Sequence, residues 1–300
     1  MKIYHGINSY KKIKNNTVVA LGMFDGIHLG HKKIIKHAQK IAKDIAGELL
    51  LITFNTHPKH LFSPMKKDYL LTTNEEKIYI LKKLGVNSIL FLNFDIKTAN
   101  MSAENFLKKD ILEKINPQTI VVGKNFRFGK DKQGDIHLIS KHSNLASIEE
   151  IKKNKQKISS TNIRELLRQG NIKETNELLG HTYFIKNQII HGFGLATRFG
   201  VSTANIHIPK FKLLPEGVFK GYTQINNSNH LSAISIGLRH TLDRHKEKLC
   251  CESHLIDFKK NIYHQNIILE LKEKIRDQQK FNSLTQLFDQ VKKDIIKIKS

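Results

Sequence analysis

Residues 22–31 read Gly-Met-Phe-Asp-Gly-Ile-His-Leu-Gly-His, which sets three glycines, one carboxylate and two imidazoles in ten positions. An apolar run, Thr17 to Leu21, precedes them, and Ile34, Ile35, Ala38, Ile41 and Ala42 follow at helical spacing. The pattern predicts a strand, a glycine-rich turn and a helix. Glycines let a backbone approach a ligand closely, and a helix N-terminus presents unpaired N–H groups to anions. Gly22, Phe24, Asp25, Gly26 and Gly30 thus form a candidate cradle for a nucleotide phosphate chain. His28 and His31, three apart where the helix begins, share one face. They could stabilise charge as a phosphoanhydride breaks. A lone glycine turn with nearby histidines is as readily plain turn chemistry. The preceding Gly22-x-Phe24-Asp25-Gly26 favours function.

Three further stretches carry candidate chemistry. Thr53-Phe54-Asn55-Thr56-His57-Pro58 ends a strand, and 123–129 (Gly-Lys-Asn-Phe-Arg-Phe-Gly) follows another. Aromatics flanking Arg127 suit stacking on a planar ring, although an aromatic surface loop reads the same way. Ser159, Ser160, Thr161 and Arg164 open a predicted helix and would make a phosphate clamp. Simple N-capping accounts for the hydroxyls equally well.

The elements that must position these residues alternate in the first half. Strands are predicted at 17–22, 48–54, 88–94 and 119–122, with helices beginning near His31, Asn74, Ser102 and Thr161. Alternation of this kind gives an α/β domain with a parallel sheet and helices on both faces, and ligands bind beyond the carboxyl ends of its strands. The pattern changes near Gly180. Short apolar segments at 184–190, 218–225, 232–236, 252–258 and 267–271, separated by turn residues, predict a small antiparallel barrel, and 283–298 predicts a terminal helix. The link between the halves is expected at 170–180, giving domains of 1–180 and 181–300.

Three hundred residues suit about two domains. No apolar stretch reaches membrane-span length and no signal-peptide pattern is present. Cys250 and Cys251 are adjacent, so no disulfide framework is implied, and a reducing cytoplasm is expected. The net charge of +23 invites a nucleic-acid reading. However, the charge is mostly Lys spread along the chain, with no aromatic-interleaved basic cluster, so no nucleic acid partner is expected. Attraction for phosphate-bearing small molecules is the milder consequence. Arg occurs only at 127, 164, 168, 198, 239, 244 and 276, and its bidentate fork marks some of these as phosphate contacts.

With residues 22–31, Val121-Val122-Gly123-x-x-Phe126-Arg127-Phe128-Gly129 and 158–164 in the first half, and Thr203-Ala204-Asn205, Glu252-x-His254-Leu255-x-Asp257-Phe258 and Lys280-Phe281 in the second, the chain resembles the bacterial bifunctional riboflavin kinase/FMN adenylyltransferase family over essentially its full length. The resemblance implies a Rossmann-like nucleotidyltransferase domain that transfers AMP from ATP to FMN, giving FAD and pyrophosphate. It also implies a riboflavin-kinase barrel that phosphorylates riboflavin from ATP. Its substrates would be riboflavin, FMN and ATP, with Mg²⁺ accompanying the nucleotide. By resemblance Phe54, His57, Pro58 and Asn125 lie near the flavin, Glu252 is the kinase carboxylate, Thr203 and Asn205 hold the metal, and Gly192 and Gly194 belong to the phosphate flap.

The chain departs from the family pattern in places. Thr56 and Asn125 replace a usual Pro and a common Asp. In the kinase half, Leu195, Ala196 and Thr197 interrupt the Gly-x-Gly-x-Gly-Arg flap, Ser202 replaces a Pro that would rigidify the metal-binding turn, and His240 stands where Pro is usual. A chain with FMN adenylyltransferase activity alone, its barrel kept as a flavin-binding or structural module, is therefore an open alternative. A basic nucleic-acid-binding protein is a remote one. A class I aminoacyl-tRNA synthetase shares the His-x-Gly-His turn but would need a Lys-rich catalytic loop and an anticodon-binding domain. The oligomeric state is not legible.

Overall fold

The computed structural model describes residues 1–11, 16–58, 61, 69–153, 156–190, 203–239, 248–258, 260 and 262–300. The chain divides into two compact units, Met1–Ser160 and Thr161–Ser300.

The first unit is built on strands β1 (Lys2–His5), β2 (Thr17–Leu21), β3 (Glu48–Phe54), β4 (Ser88–Leu92), β5 (Thr119–Gly123) and β6 (Leu145–Ile148). They form one sheet in the order β1-β4-β3-β2-β5-β6. Every pairing in it is parallel. β2 is buried along its whole length, as an apolar central strand of a doubly covered sheet must be. From β2 the chain passes through the helix Leu29–Asp44 to β3 on one side, and later returns to β5 on the other. The carboxyl end of β2 is therefore the point where strand order reverses, the place where such sheets bind ligands.

The four expected strands lie within two residues of their observed limits. β1 and β6 are additions to that set. They are four-residue edge strands, half or fully exposed over most of their length, and lack the apolar run that marks a buried strand. The helix Asn74–Lys83 opens on a full capping box, with Thr73 accepting from the Glu76 amide and Glu76 accepting from the Thr73 amide. Ser102 caps the short helix Ala103–Asn105, which continues as a π-helical segment, Phe106–Glu113. A short hairpin, β7 (Lys152–Lys153) with β8 (Gln156–Lys157), ends the unit.

The second unit contains a closed barrel of β9 (Tyr183–Ile190), β10 (Ala204–Ile206), β11 (Gly217–Ile225), β12 (Ser228–Arg239), β13 (Lys248–Leu255) and β14 (Asn266–Arg276), ordered β10-β13-β12-β11-β14-β9. All its pairings are antiparallel. Burial alternates along β11, so one face of the strand fills the interior. Phe219, Ile234, Ile236, Leu269 and Leu271 are fully buried there. Asn226 and Asn227 join β11 to β12 with φ of 47° and 67°, the left-handed pair a two-residue hairpin requires. Five barrel strands answer to the predicted segments; β10, three residues long, is legible in the sequence only as a motif.

One expectation changes. The segment 170–180, read as a link, contains the helix Ile172–Leu179, capped by Asn171 and burying Ile172, Thr175, Leu178 and Leu179. It is fastened to the barrel where Asn176 donates to the Leu271 carbonyl at 2.9 Å and accepts from the Tyr183 amide at 2.6 Å. Of the glycines that suggest a loop, Gly170 closes the preceding helix Ser160–Arg168 and Gly180 caps the C-terminus of this one. Residues 191–202 and 240–247 fall outside the described residues, so the departures at Gly192, Gly194, Leu195, Ala196, Thr197, Ser202 and His240 do too.

The predicted terminal helix is present as Leu284–Lys299. Arg276 on β14 anchors it, donating from Nε to both Asp294 oxygens at 3.0 Å and from Nη2 to Oδ2 at 2.8 Å. Asp294 is only 4% exposed. Removing one member of such a pair strands the other, at a cost of about 3–5 kcal/mol. Asp294→Ala should therefore lower the denaturant midpoint of the barrel transition by a corresponding amount, and equal midpoints for variant and parent would refute the anchor.

Candidate active sites

The glycine turn leaves β2 with Phe24 at φ 47°, Gly26 at 80° and Ile27 at 39°. A β-branched residue with positive φ is a genuine outlier. The strained backbone is what lets the chain reverse into a helix within a few residues. Gly22 and Gly30 are required by contact. A Cβ at Gly22 would come 3.3 Å from the Phe24 ring, and one at Gly30 would come 3.0 Å from Cε1 and 3.1 Å from Nδ1 of His28.

His28 caps the helix Leu29–Asp44, its Nδ1 accepting from the His31 amide at 3.3 Å. Accepting at Nδ1 fixes the neutral tautomer with its proton on Nε2. The His28 and His31 rings stack at 3.7 Å with 16° between planes, and Phe24 meets His31 edge-on at 5.3 Å. The shared face expected from their spacing is thus a stacked imidazole pair, set on the N-terminus of a sixteen-residue helix.

Asp25, expected among the phosphate contacts, turns its buried carboxylate to the chain itself. Oδ1 accepts from the Leu71 and Thr72 amides at 3.0 Å each and from the Thr72 hydroxyl at 3.2 Å. Thr72 Oγ1 in turn accepts from the Gly26 amide at 2.9 Å. Ser160, part of the expected clamp, donates its hydroxyl to the Asp25 carbonyl at 2.9 Å, so it braces the turn. Thr161 is exposed and Arg164 is buried in the second unit. Sequence reading missed Thr72 and Lys77, and marked Thr53 only as the start of the 53–58 stretch; together the three hold the turn from beneath. The apolar face of Asn74–Lys83 gives no sign that Lys77 belongs to it.

Phe54, at the end of β3, joins an aromatic row. It meets Phe94 at 5.2 Å and Phe106 at 6.4 Å, and Phe128 meets Phe106 at 6.0 Å and Phe126 at 5.5 Å. The row brings the 54–58 loop and the 123–129 loop to one end of the sheet, which neither stretch reveals alone. Gly129 passes so close to Ala103 that a Cβ would lie 2.5 Å from its Cα. Arg127 and Asn125 are exposed; Asn125 donates to Glu150 at 2.7 Å, and His57 packs edge-on against Tyr69 at 4.8 Å. Pro58 is half-buried.

In the barrel, strand register builds the second site. Glu252 on β13 lies opposite Asn205 on β10 and opposite Ser235 on β12. Residues paired directly across strands share a face. Each of the three is half-buried between fully buried neighbours, so the face is the outer one. Thr203 precedes Asn205 by two residues. A hollow of about 130 Å³ beside Glu252 is lined by Ser235, Gly237, Leu238, Cys250 and Gln278. Gln278 closes one side, donating to Ser235 Oγ at 3.1 Å and to the Ile236 carbonyl at 2.9 Å. Among the described residues no group of three or more His, Cys, Asp or Glu gathers as a metal site.

The FAD synthetase family matches residues 10–162, and the riboflavin kinase family matches residues 179–300. A bifunctional riboflavin kinase/FMN adenylyltransferase of Buchnera aphidicola subsp. Schizaphis graminum is 33% identical, over 98% of this chain and 97% of its own. The chain belongs to the bifunctional riboflavin kinase/FMN adenylyltransferase family. Family members of the same name in Bacillus subtilis and Escherichia coli K12 are 32% and 29% identical, each over 98% of this chain and 96% of their own. A crystal structure described as a macrolide-efflux protein from Streptococcus pneumoniae superposes with a TM-score of 0.89 at 28% identity, covering 100% of this chain and 99% of that one. Among the described residues no helix is long and apolar enough to cross a membrane. The two family domains account for the two sites: the sheet unit carries the FAD synthetase match and the barrel the riboflavin kinase match.

Asp25→Ala would leave the Leu71 and Thr72 amides without their buried acceptor. Each such loss costs about 1–3 kcal/mol. The sheet unit should unfold at lower denaturant by a total of about 2–6 kcal/mol, while the barrel transition stays in place. A parental unfolding curve would show that the carboxylate is not the strut of the turn.

Proposed function

We propose that this chain makes FAD from riboflavin in two steps, riboflavin phosphorylation in the barrel and FMN adenylylation on the sheet. The stacked His28–His31 pair on a helix N-terminus, where the strand order reverses, is the observation that carries the reading.

In adenylylation, an FMN phosphate oxygen attacks the α-phosphorus of ATP, a new phosphoanhydride forms, and the bond to the β-phosphate breaks to release pyrophosphate. The attacking phosphate is already ionised, so no base is needed; alignment and charge stabilisation are. His28, His31 and the helix amides supply donors for the non-bridging oxygens of the pentacoordinate phosphorus and for the leaving oxygen. Gly22, Phe24, Gly26 and Gly30 shape the cradle, and Ser159 and Arg127 are assigned to the remaining phosphates. The functional domains are taken as 1–180 and 181–300, where the pattern of the sequence changes near Gly180. Phe54, His57, Pro58 and Asn125 are assigned to the flavin, with the half-buried Phe54 and Phe126 offering faces to its ring.

Phosphorylation starts from a neutral alcohol. Glu252 accepts the proton of the riboflavin terminal hydroxyl as its oxygen attacks the γ-phosphorus, and ADP leaves. The Thr203 hydroxyl and the Asn205 amide oxygen are hard oxygen donors, the kind Mg²⁺ takes, with no thiolate or imidazole among them. Bound there, Mg²⁺ would neutralise phosphate charge. The reactions need riboflavin, FMN and ATP and no nucleic acid; a cytoplasmic setting suits Cys250 and Cys251, which form no disulfide.

The replaced flap residues, Leu195, Ala196 and Thr197, favour a second reading in which only adenylylation survives. Product time courses by HPLC, from riboflavin and from FMN with ATP and Mg²⁺, separate the two. FMN followed by FAD is expected from riboflavin. FAD formed only when FMN is supplied would leave the barrel without its kinase activity. His31→Ala should cut FAD formation by about 10²–10³-fold and spare FMN formation, and Glu252→Ala should do the reverse. Equal loss of both activities in both variants would overturn the two-site assignment.

A further inference from the structure

Lys77 lies on the helix Asn74–Lys83 with its side chain turned inward, 4% exposed. A buried ammonium is costly, and an apolar residue of the same length would fill the space without that cost. Among the described residues no carboxylate lies within ion-pair distance of it. Its ammonium donates instead to the Met23 carbonyl at 2.9 Å and to Thr53 Oγ1 at 3.2 Å. The Thr53 hydroxyl completes the triangle, donating to the same Met23 carbonyl at 2.9 Å. Met23 is the residue before Phe24, where the backbone turns to positive φ, and the Phe24 ring stands against His31.

We infer that Lys77 is a positioning residue for adenylyl transfer: by gripping the Met23 carbonyl it holds the Phe24 peptide in its left-handed conformation and so sets the ring that backs His31. The inference rests on the proposed adenylylation. Lys77 acts through the Met23 carbonyl and, beyond it, Phe24. Small displacements of a catalytic group are expensive in rate, so the grip acts on turnover more than on binding.

The charge of Lys77 is titratable in a useful range. Burial pushes its pKa down to about 8, against the upward pull of Asp25. Asp25, on the turn, is the charged group that acts on it; from β3 only the Thr53 hydroxyl reaches it; on its own helix, Glu76 is committed to the Thr73 amide. Below about pH 8 the ammonium is intact and grips the carbonyl as a charge-assisted donor. Above it, the neutral amine donates more weakly.

The test is a pH–rate profile of FAD formation from FMN, ATP and Mg²⁺ by the full chain and by Lys77→Met. In the parent, kcat should fall with a single proton's dependence above about pH 8. Lys77→Met should lose roughly tenfold to a hundredfold in kcat, keep its KM values within about twofold, show no descending limb, and phosphorylate riboflavin as the parent does. A variant with parental kcat overturns the inference, as does one that retains the limb. If Lys77→Met does not fold, the parent profile and Thr53→Val decide: absence of the limb, or a Thr53→Val kcat equal to the parent's, overturns it. A parent that forms no FAD from FMN at any pH fails the adenylylation reading itself, and the two failures are thereby distinct.

Discussion

A turn that starts from a fully buried strand and carries positive φ at Phe24 and Ile27 cannot hold itself. Residues in such conformations cost on the order of 1–3 kcal/mol each, and they persist only when their surroundings over-determine them. Here the surroundings do so from several directions. Asp25 reaches the Leu71 and Thr72 amides, Thr72 returns to Gly26, Ser160 reaches the Asp25 carbonyl, and Lys77 with Thr53 holds Met23. The imidazole pair depends on all of these, because His28 is placed by the turn and His31 by the helix that the turn begins. The Asn74–Lys83 helix serves this purpose as much as it serves the sheet: its capping box fixes the stretch just after Leu71 and Thr72, and its second turn delivers Lys77.

The barrel solves its positioning problem differently. Closure of the β-strands leaves no free edge, and register then fixes which side chains meet. Glu252 faces Asn205 and Ser235 because Cys251 and Ser253 must point inward between Ala204, Ile234, Ile236 and their neighbours. A one-residue slip would bury the carboxylate and expose the core. The interior also holds a hydroxyl trio, Thr223 with Ser232 at 2.9 Å and Ser253 at 2.8 Å, satisfied among themselves and at the His230 carbonyl. That trio pins the registers of β11, β12 and β13 against one another, and so holds Glu252 in place from the opposite face.

What can be read from the sequence follows from which interactions are local. Central strands are apolar runs, and capped helices carry their start signals within four residues, so both are legible. The edge strands β1 and β6 owe their existence to a neighbour and have no internal signature. The segment 170–180 resembles a link because its glycines are visible and its docking partner Leu271 lies far away in sequence. The same holds at the site. Gly22, His28 and His31 announce themselves by spacing, whereas Lys77 reads as one more surface lysine in a lysine-rich chain. Asp25 stands out by its place between Phe24 and Gly26, yet its role as a strut does not. Its partners, the Leu71 and Thr72 amides, lie more than forty residues away and meet it only once the chain has folded.

In the proposed reactions, the division of labour between the two sites follows from the charge of their nucleophiles. A phosphate that attacks as an anion is repelled by a nearby carboxylate, and a site for it should offer donors only. At the glycine turn the Asp25 carboxylate is drawn away to backbone amides, and what faces outward is a helix N-terminus, imidazole and backbone N–H. An alcohol needs a group to take its proton, and the barrel site places Glu252 in the open, half-buried and beside hard oxygen donors. The two sites could not exchange residues and keep their chemistry. The two units accordingly differ in their supports, a hydrogen-bonded turn beneath His28 and His31 and a closed strand register beneath Glu252.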